Sequence, residues 1–84
     1  MRHFTTPEFW ELYDELPLKI QELADKNYEL LKDDSRHPSL HFKRVSDYWS
    51  VRVGKQYRAV GIENEVGVVW FWIGTHTEYD KLIS

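Results

Sequence analysis

A chain of 84 residues without cysteine has one route to a stable fold: a single hydrophobic core dense enough to do without disulfide staples. At this length about three-fifths of the unfolded chain's surface can be buried, so large side chains must carry the core. Four Trp, five Tyr and four Phe supply them. With 30% of residues charged and no apolar run near the roughly 18 residues of a transmembrane helix, residues 1–84 read as one soluble domain. Met1-Arg2-His3-Phe4-Thr5 leads into no apolar stretch of signal-peptide length, which together with the lack of cysteine points to a reducing cytoplasm.

Hydrophobic periodicity divides the chain in two. Thr6 can cap a helix with Pro7 in its first position, placing Phe9, Leu12, Tyr13 and Leu16 on one face. Pro17 should end that helix and begin another, with Ile20, Leu23, Ala24 and Leu31 as its apolar stripe, closed by Asp33-Asp34-Ser35 and Pro38. Four strands follow: Leu40 to Val45, Tyr48 to Val53, Tyr57 to Glu63 and Val66 to Ile73. Ser46-Asp47 and Asn64-Glu65 suit two-residue hairpin loops and Gly54-Lys55-Gln56 a three-residue one, so neighbouring strands should run antiparallel. The expectation is an α+β fold, two N-terminal helices packed on one face of a small, mainly antiparallel sheet.

Charge is distributed unevenly. Residues 1–34 carry nine acids and four bases, residues 35–62 one acid and six bases, and residues 63–84 four acids and one base. The net charge of −3 therefore conceals a basic middle between two acidic flanks. Such a block suits either an anion site or a merely bipolar surface.

The three-residue loop would set Arg52 opposite Arg58, on the face that also holds Tyr48, Ser50, Val60 and Ile62. Trp49, Val51, Val53, Tyr57 and Ala59 would face the core. Like charges at one level repel, so the pair implies either a bound anion or a carboxylate from a neighbouring element. Downstream of Gly74, His76 and Tyr79 are three apart and share a side if the chain turns helical; they either handle protons beside the arginines or cap a strand and seal the core's rim. His37 and His41 have Pro38 between them, which disfavours a helical metal pair, and no phosphate loop or nucleophile elbow is present. No metal and no cofactor is expected.

In the series Tyr48-Trp49-Ser50-Val51-Arg52-Val53, Tyr57-Arg58-Ala59-Val60 and Val69-Trp70-Phe71-Trp72-Ile73-Gly74, followed by His76 and Glu78-Tyr79, the chain resembles the RelE/ParE superfamily of bacterial type II toxin-antitoxin toxins. The resemblance implies a toxin bound by a cognate antitoxin. RelE-like members cut messenger RNA on the ribosome by metal-free attack of a ribose 2′-hydroxyl on the adjacent phosphate; ParE-like members instead inhibit DNA gyrase. Carried over by position, Arg52 and Arg58 would hold the phosphate and His76 and Tyr79 would move protons. His41, Lys43, Arg44 and Lys55 would contact RNA. The strands before Tyr48 hold no match to the general-base Glu or Lys of some relatives, for which His41 or Lys43 would stand in.

Overall fold

Prolines and their polar neighbours set the helical half. In the computed structural model, which describes residues 2–84, Thr6 accepts a hydrogen bond from the Phe9 amide (3.2 Å) and Pro7 opens helix α1, Pro7–Asp14. Pro17 then caps helix α2, Leu18–Asp33. Lacking an N–H, Pro17 cannot satisfy the last carbonyls of α1. The Gln21 side-chain amide reaches back to this junction, donating to the Tyr13 carbonyl in the last turn of α1 (3.0 Å) and to the Leu16 carbonyl beyond it (3.3 Å). The Tyr13 hydroxyl donates to Asp25 at 2.7 Å, tying the helices together. That bond, with burial and the Asp25 charge behind it, pushes the Tyr13 phenol up to about 12.

Among the described residues the sheet has five strands rather than four, ordered β1-β5-β4-β3-β2. They are β1 (Arg2–Thr5), β2 (Lys43–Val45), β3 (Tyr48–Val53), β4 (Tyr57–Glu63) and β5 (Gly67–Thr75), and a third helix, α3 (His76–Ile83), follows. Both β3 and β4 have the expected bounds, and Val53 pairs with Tyr57. β1 was not anticipated: it pairs in parallel with β5, a partner more than sixty residues away. The other pairs are antiparallel.

Three local expectations are corrected. Leu40 belongs to a 3₁₀ turn, Pro38–Leu40, and His41 is left-handed (φ 47°), so the strand begins only at Lys43. The last hairpin turns at Glu65-Val66 instead of Asn64-Glu65, because the Asn64 amide pairs with the Gly67 carbonyl (2.8 Å) while its side chain accepts from the Val66 and Gly67 amides. β5 also runs two residues past Ile73, with Gly74 opposite Arg58 and Thr75 opposite Tyr57.

Helices α1 and α2 cover one sheet face. Phe9, Ala24, Leu31 and Leu40 pack there with Val51, Val53, Ala59, Trp70 and Ile73, as the alternation requires. Val60 and Ser50, on the opposite face, are also buried, and α3 packs against β4 and β5. No described helix is long and apolar enough to cross a membrane.

His3 links β1 to this core. Its Nδ1 accepts a hydrogen bond from the Trp70 indole at 3.1 Å, its ring stacks on Trp70, and its carbonyl accepts from the Tyr28 hydroxyl. Burial, followed by nearby positive charge, lowers its pKa from the usual 6.5. The unfolded chain therefore takes up this proton at higher pH than the folded one. The stability this group contributes is whole above 6.5 and is lost as pH falls below that value. The thermal midpoint should drop more steeply between pH 7.5 and 5.5 in the native chain than in His3→Asn, whose amide oxygen replaces the acceptor without titrating. Parallel curves for the two proteins would show that His3 carries none of the acid sensitivity.

Candidate functional site

Strand register alone brings the two arginines together. Arg52 and Arg58 are directly opposed on β3 and β4, on the face away from α1 and α2. No carboxylate lies within ion-pair distance of either among the described residues, whose three ion pairs involve Lys32, Arg44 and His76. Neutralisation by a neighbouring acid, one of the two readings of the pair, is therefore not what the fold provides. Arg52 donates through Nη1 to Nε2 of His41 (3.1 Å), which requires the neutral tautomer with its proton on Nδ1. Its Nε is buried and has no partner. Arg58 donates only to the carbonyl of Tyr57, at 3.0 Å. Burial and then the Arg52 charge lower the Arg58 pKa, against opposing contributions from Tyr79 and Asp80. A buried unpaired donor beside a second guanidinium is an arrangement that an anion completes.

The third contributor is α3. Thr75 and Glu78 form a capping box: Thr75 Oγ1 accepts from the Glu78 amide (3.2 Å) and Glu78 Oε1 accepts from the Thr75 amide (3.0 Å). These bonds to Thr75, the backbone one first, hold the Glu78 carboxyl below its usual range. The His76 amide donates to the Gln56 carbonyl at 2.7 Å, which fastens the start of α3 to the β3–β4 loop. The helix then turns Tyr79 inward toward Arg58, where it is only 6% exposed, with the rings of His76 and Tyr79 5.9 Å apart. His76 remains open to solvent and pairs through Nδ1 with Asp80 at 3.4 Å. The sequence reading overlooked Asp80, although the spelling Thr75-His76-Thr77-Glu78 announces a capped helix on which residues 76 and 80 are neighbours.

The four further residues named from sequence do not stay together. His41 lies against Arg52, and Lys43 stands opposite Ser50 on the arginine face. Lys55 is exposed in the loop to which α3 is fastened. Arg44 is opposite Trp49, hence on the other face; it pairs with Glu63 at 3.1 Å and lies over the Trp49 ring. Among the described residues no three His, Asp or Glu side chains gather where they could hold a metal ion. An apolar cleft lies on the far side, between the helices and the sheet, bounded by Phe9, Trp10, Tyr13, Tyr28 and Leu31. Arg52 and Arg58 do not line this cleft, and both are half-buried.

The profile of the ParE-like toxin domain matches residues 18–81. In three dimensions the chain is similar to a chain of the RelB-RelE antitoxin-toxin complex from Methanococcus jannaschii, with a TM-score of 0.72 at 15% identity over 96% of this chain and 99% of that one. No curated protein matches the sequence significantly.

The unpaired guanidiniums predict a stability response to anions. Millimolar inorganic pyrophosphate should raise the thermal midpoint of the native chain by several degrees, by mass action on the folded state. Arg58→Ala should fold, melt at or slightly above the native temperature without ligand, and lose most of that rise. Equal pyrophosphate responses in both proteins would remove the anion site, and a variant that unfolds readily would assign Arg58 to structure.

Proposed function

The chain belongs to the ParE-like toxin domain family, within the RelE/ParE superfamily of toxins, and from that premise we propose that it is a toxin acting as a messenger-RNA endoribonuclease in the cytoplasm. What supports this reading is that Arg52 and Arg58 are opposed with no carboxylate among the described residues within ion-pair distance, that Tyr79 lies near enough to Arg58 to act on its charge, and that the His76 ring is 5.9 Å from that of Tyr79. A protein that acts by binding alone has no need of proton-transfer groups beside paired cations. Arg52 and Arg58 grip the phosphoryl oxygens, with Arg52 held in place by His41. The ribose 2′-oxygen attacks the adjacent phosphorus; the new O–P bond forms as the bond to the 5′-oxygen breaks. One proton leaves the 2′-hydroxyl and one is delivered to the 5′-oxygen, transfers assigned to His76 and Tyr79, leaving a cyclic phosphate and a free 5′-hydroxyl. Guanidinium forks stabilise the charge that builds on phosphorus, each such donor being typically worth about 3 kcal/mol of barrier. Lys43 and Lys55 flank the site as backbone contacts and the ribosome presents the message. Arg44, held by Glu63, is left outside this reading.

The ParE-like family match favours a second reading, inhibition of DNA gyrase by protein binding. Expression from a tight promoter with RNA ends mapped in the arrested cells separates the two. Cuts bearing 5′-hydroxyl ends at fixed codon positions are expected, and intact messages with altered DNA supercoiling would replace the nuclease by gyrase inhibition. Arg58→Ala should lower cleavage by about 10² or more while retaining the fold, and Arg58→Lys should restore little, since a point charge cannot form a bidentate fork.

The similar structure comes from an antitoxin-toxin complex, which supports a cognate antitoxin as partner here. An acidic segment of that antitoxin laid across Arg52 and Arg58 would silence the site. The purified pair should weaken markedly between low and high salt; an affinity indifferent to ionic strength would place the contact elsewhere.

A further inference from the structure

The β4–β5 pairing slips by one residue: Val60 is opposite Trp72, yet Gly61 is opposite Trp70, so Phe71 is an extra residue. Trp70 and Ile73 both remain in the core, and the two residues between them stand on the arginine face. There the Phe71 ring meets that of Tyr48, with centroids 5.8 Å apart at 56°. Tyr48 alternates with Ser50 and Arg52 along β3, so this aromatic shelf lies roughly 13 Å from the arginine pair on the same surface. Both rings are half-buried and Ile62 at their margin is 46% exposed. Lys43, opposite Ser50, stands between shelf and arginines, and no strand residue on this face is acidic.

We infer that Tyr48 and Phe71 form a stacking platform for an unpaired base of the RNA strand whose phosphate Arg52 and Arg58 hold, an inference that rests on the endoribonuclease reading above. Aromatic rings interleaved with cations on an open sheet suit single-stranded nucleic acid, because every base offers a π-face and the backbone follows the positive charge. The bulge lets Phe71 and Trp72 both stand on this face while Trp70 and Ile73 both keep their places in the core.

The test uses the full chain and an uncleavable 2′-O-methyl hexanucleotide carrying 2-aminopurine at each position in turn. One position should be strongly quenched, and an abasic residue there should weaken binding about tenfold. Tyr48→Leu should abolish the quenching and Tyr48→Phe should keep it; if the leucine variant does not fold, the abasic series with native protein decides. Tight binding with no quenched position and no abasic effect would overturn the platform while leaving RNA cleavage in place. Failure to bind any oligonucleotide, with intact messages in the expression experiment, would overturn both. A Tyr48→Leu protein that binds RNA normally but loses its antitoxin would reassign the shelf to protein docking.

Discussion

The β3–β4 hairpin depends on Gly54, and the rest of the site depends on that hairpin. Gly54 has φ of 68°, a conformation that side chains resist, and a Cβ there would come within 2.8 Å of Leu23 in α2. The three-residue loop it permits aligns Val53 with Tyr57 and therefore Arg52 with Arg58. A slip of one residue would carry Arg52 into the core and expel Val51 and Val53. One turn thus specifies both the packing of the helices against the sheet and the charge arrangement on its other face. Hydrophobic burial enforces the register, and the register enforces the repulsion between the arginines.

That repulsion persists because the fold neutralises other charges and leaves these. Glu63 engages Arg44 and the Trp49 indole together, holding one base of the central block to the opposite face. Asp80 is occupied with His76, and Asp25 with Tyr13. Arg52 and Arg58 are left with His41 and a backbone carbonyl as partners, and with a buried Nε that has none. An unsatisfied buried donor typically costs about 1–3 kcal/mol, a departure from local consistency of the kind that accompanies a binding site. The acidic helices α1 and α2 lie on the far side of the sheet, and the strand residues of the arginine face include bases and no acid although the net charge is negative.

Elements specified by adjacent residues were legible in the sequence. The Thr6 cap, the break at Pro17, the bounds of β3 and β4 and the opposed arginines follow from rules that act over a few positions. The capping box of α3 is equally local, but the strongly apolar run before it reads as a strand ending at Ile73 and masks the helix start at Thr75. What could not be read were consequences of distant contacts. Arg2–Thr5 is too short and mixed to announce a strand, and becomes one because β5 offers its edge and Trp70 receives His3.

The separation of roles has one physical cause. The amino-acid sequence by itself determined that there would be two helices, a set of antiparallel hairpins and a pair of arginines at one level, because backbone sterics and alternation operate between near neighbours. Only the tertiary structure decided that β1 would close the sheet in parallel, that Arg44 would be taken by Glu63, that a bulge at Phe71 would keep both Trp70 and Ile73 in the core and that α3 would bring Tyr79 to Arg58. Each of those depends on which surfaces remain to be buried and which charges remain unpaired once the hairpins have met the helices, quantities that exist only in the assembled chain.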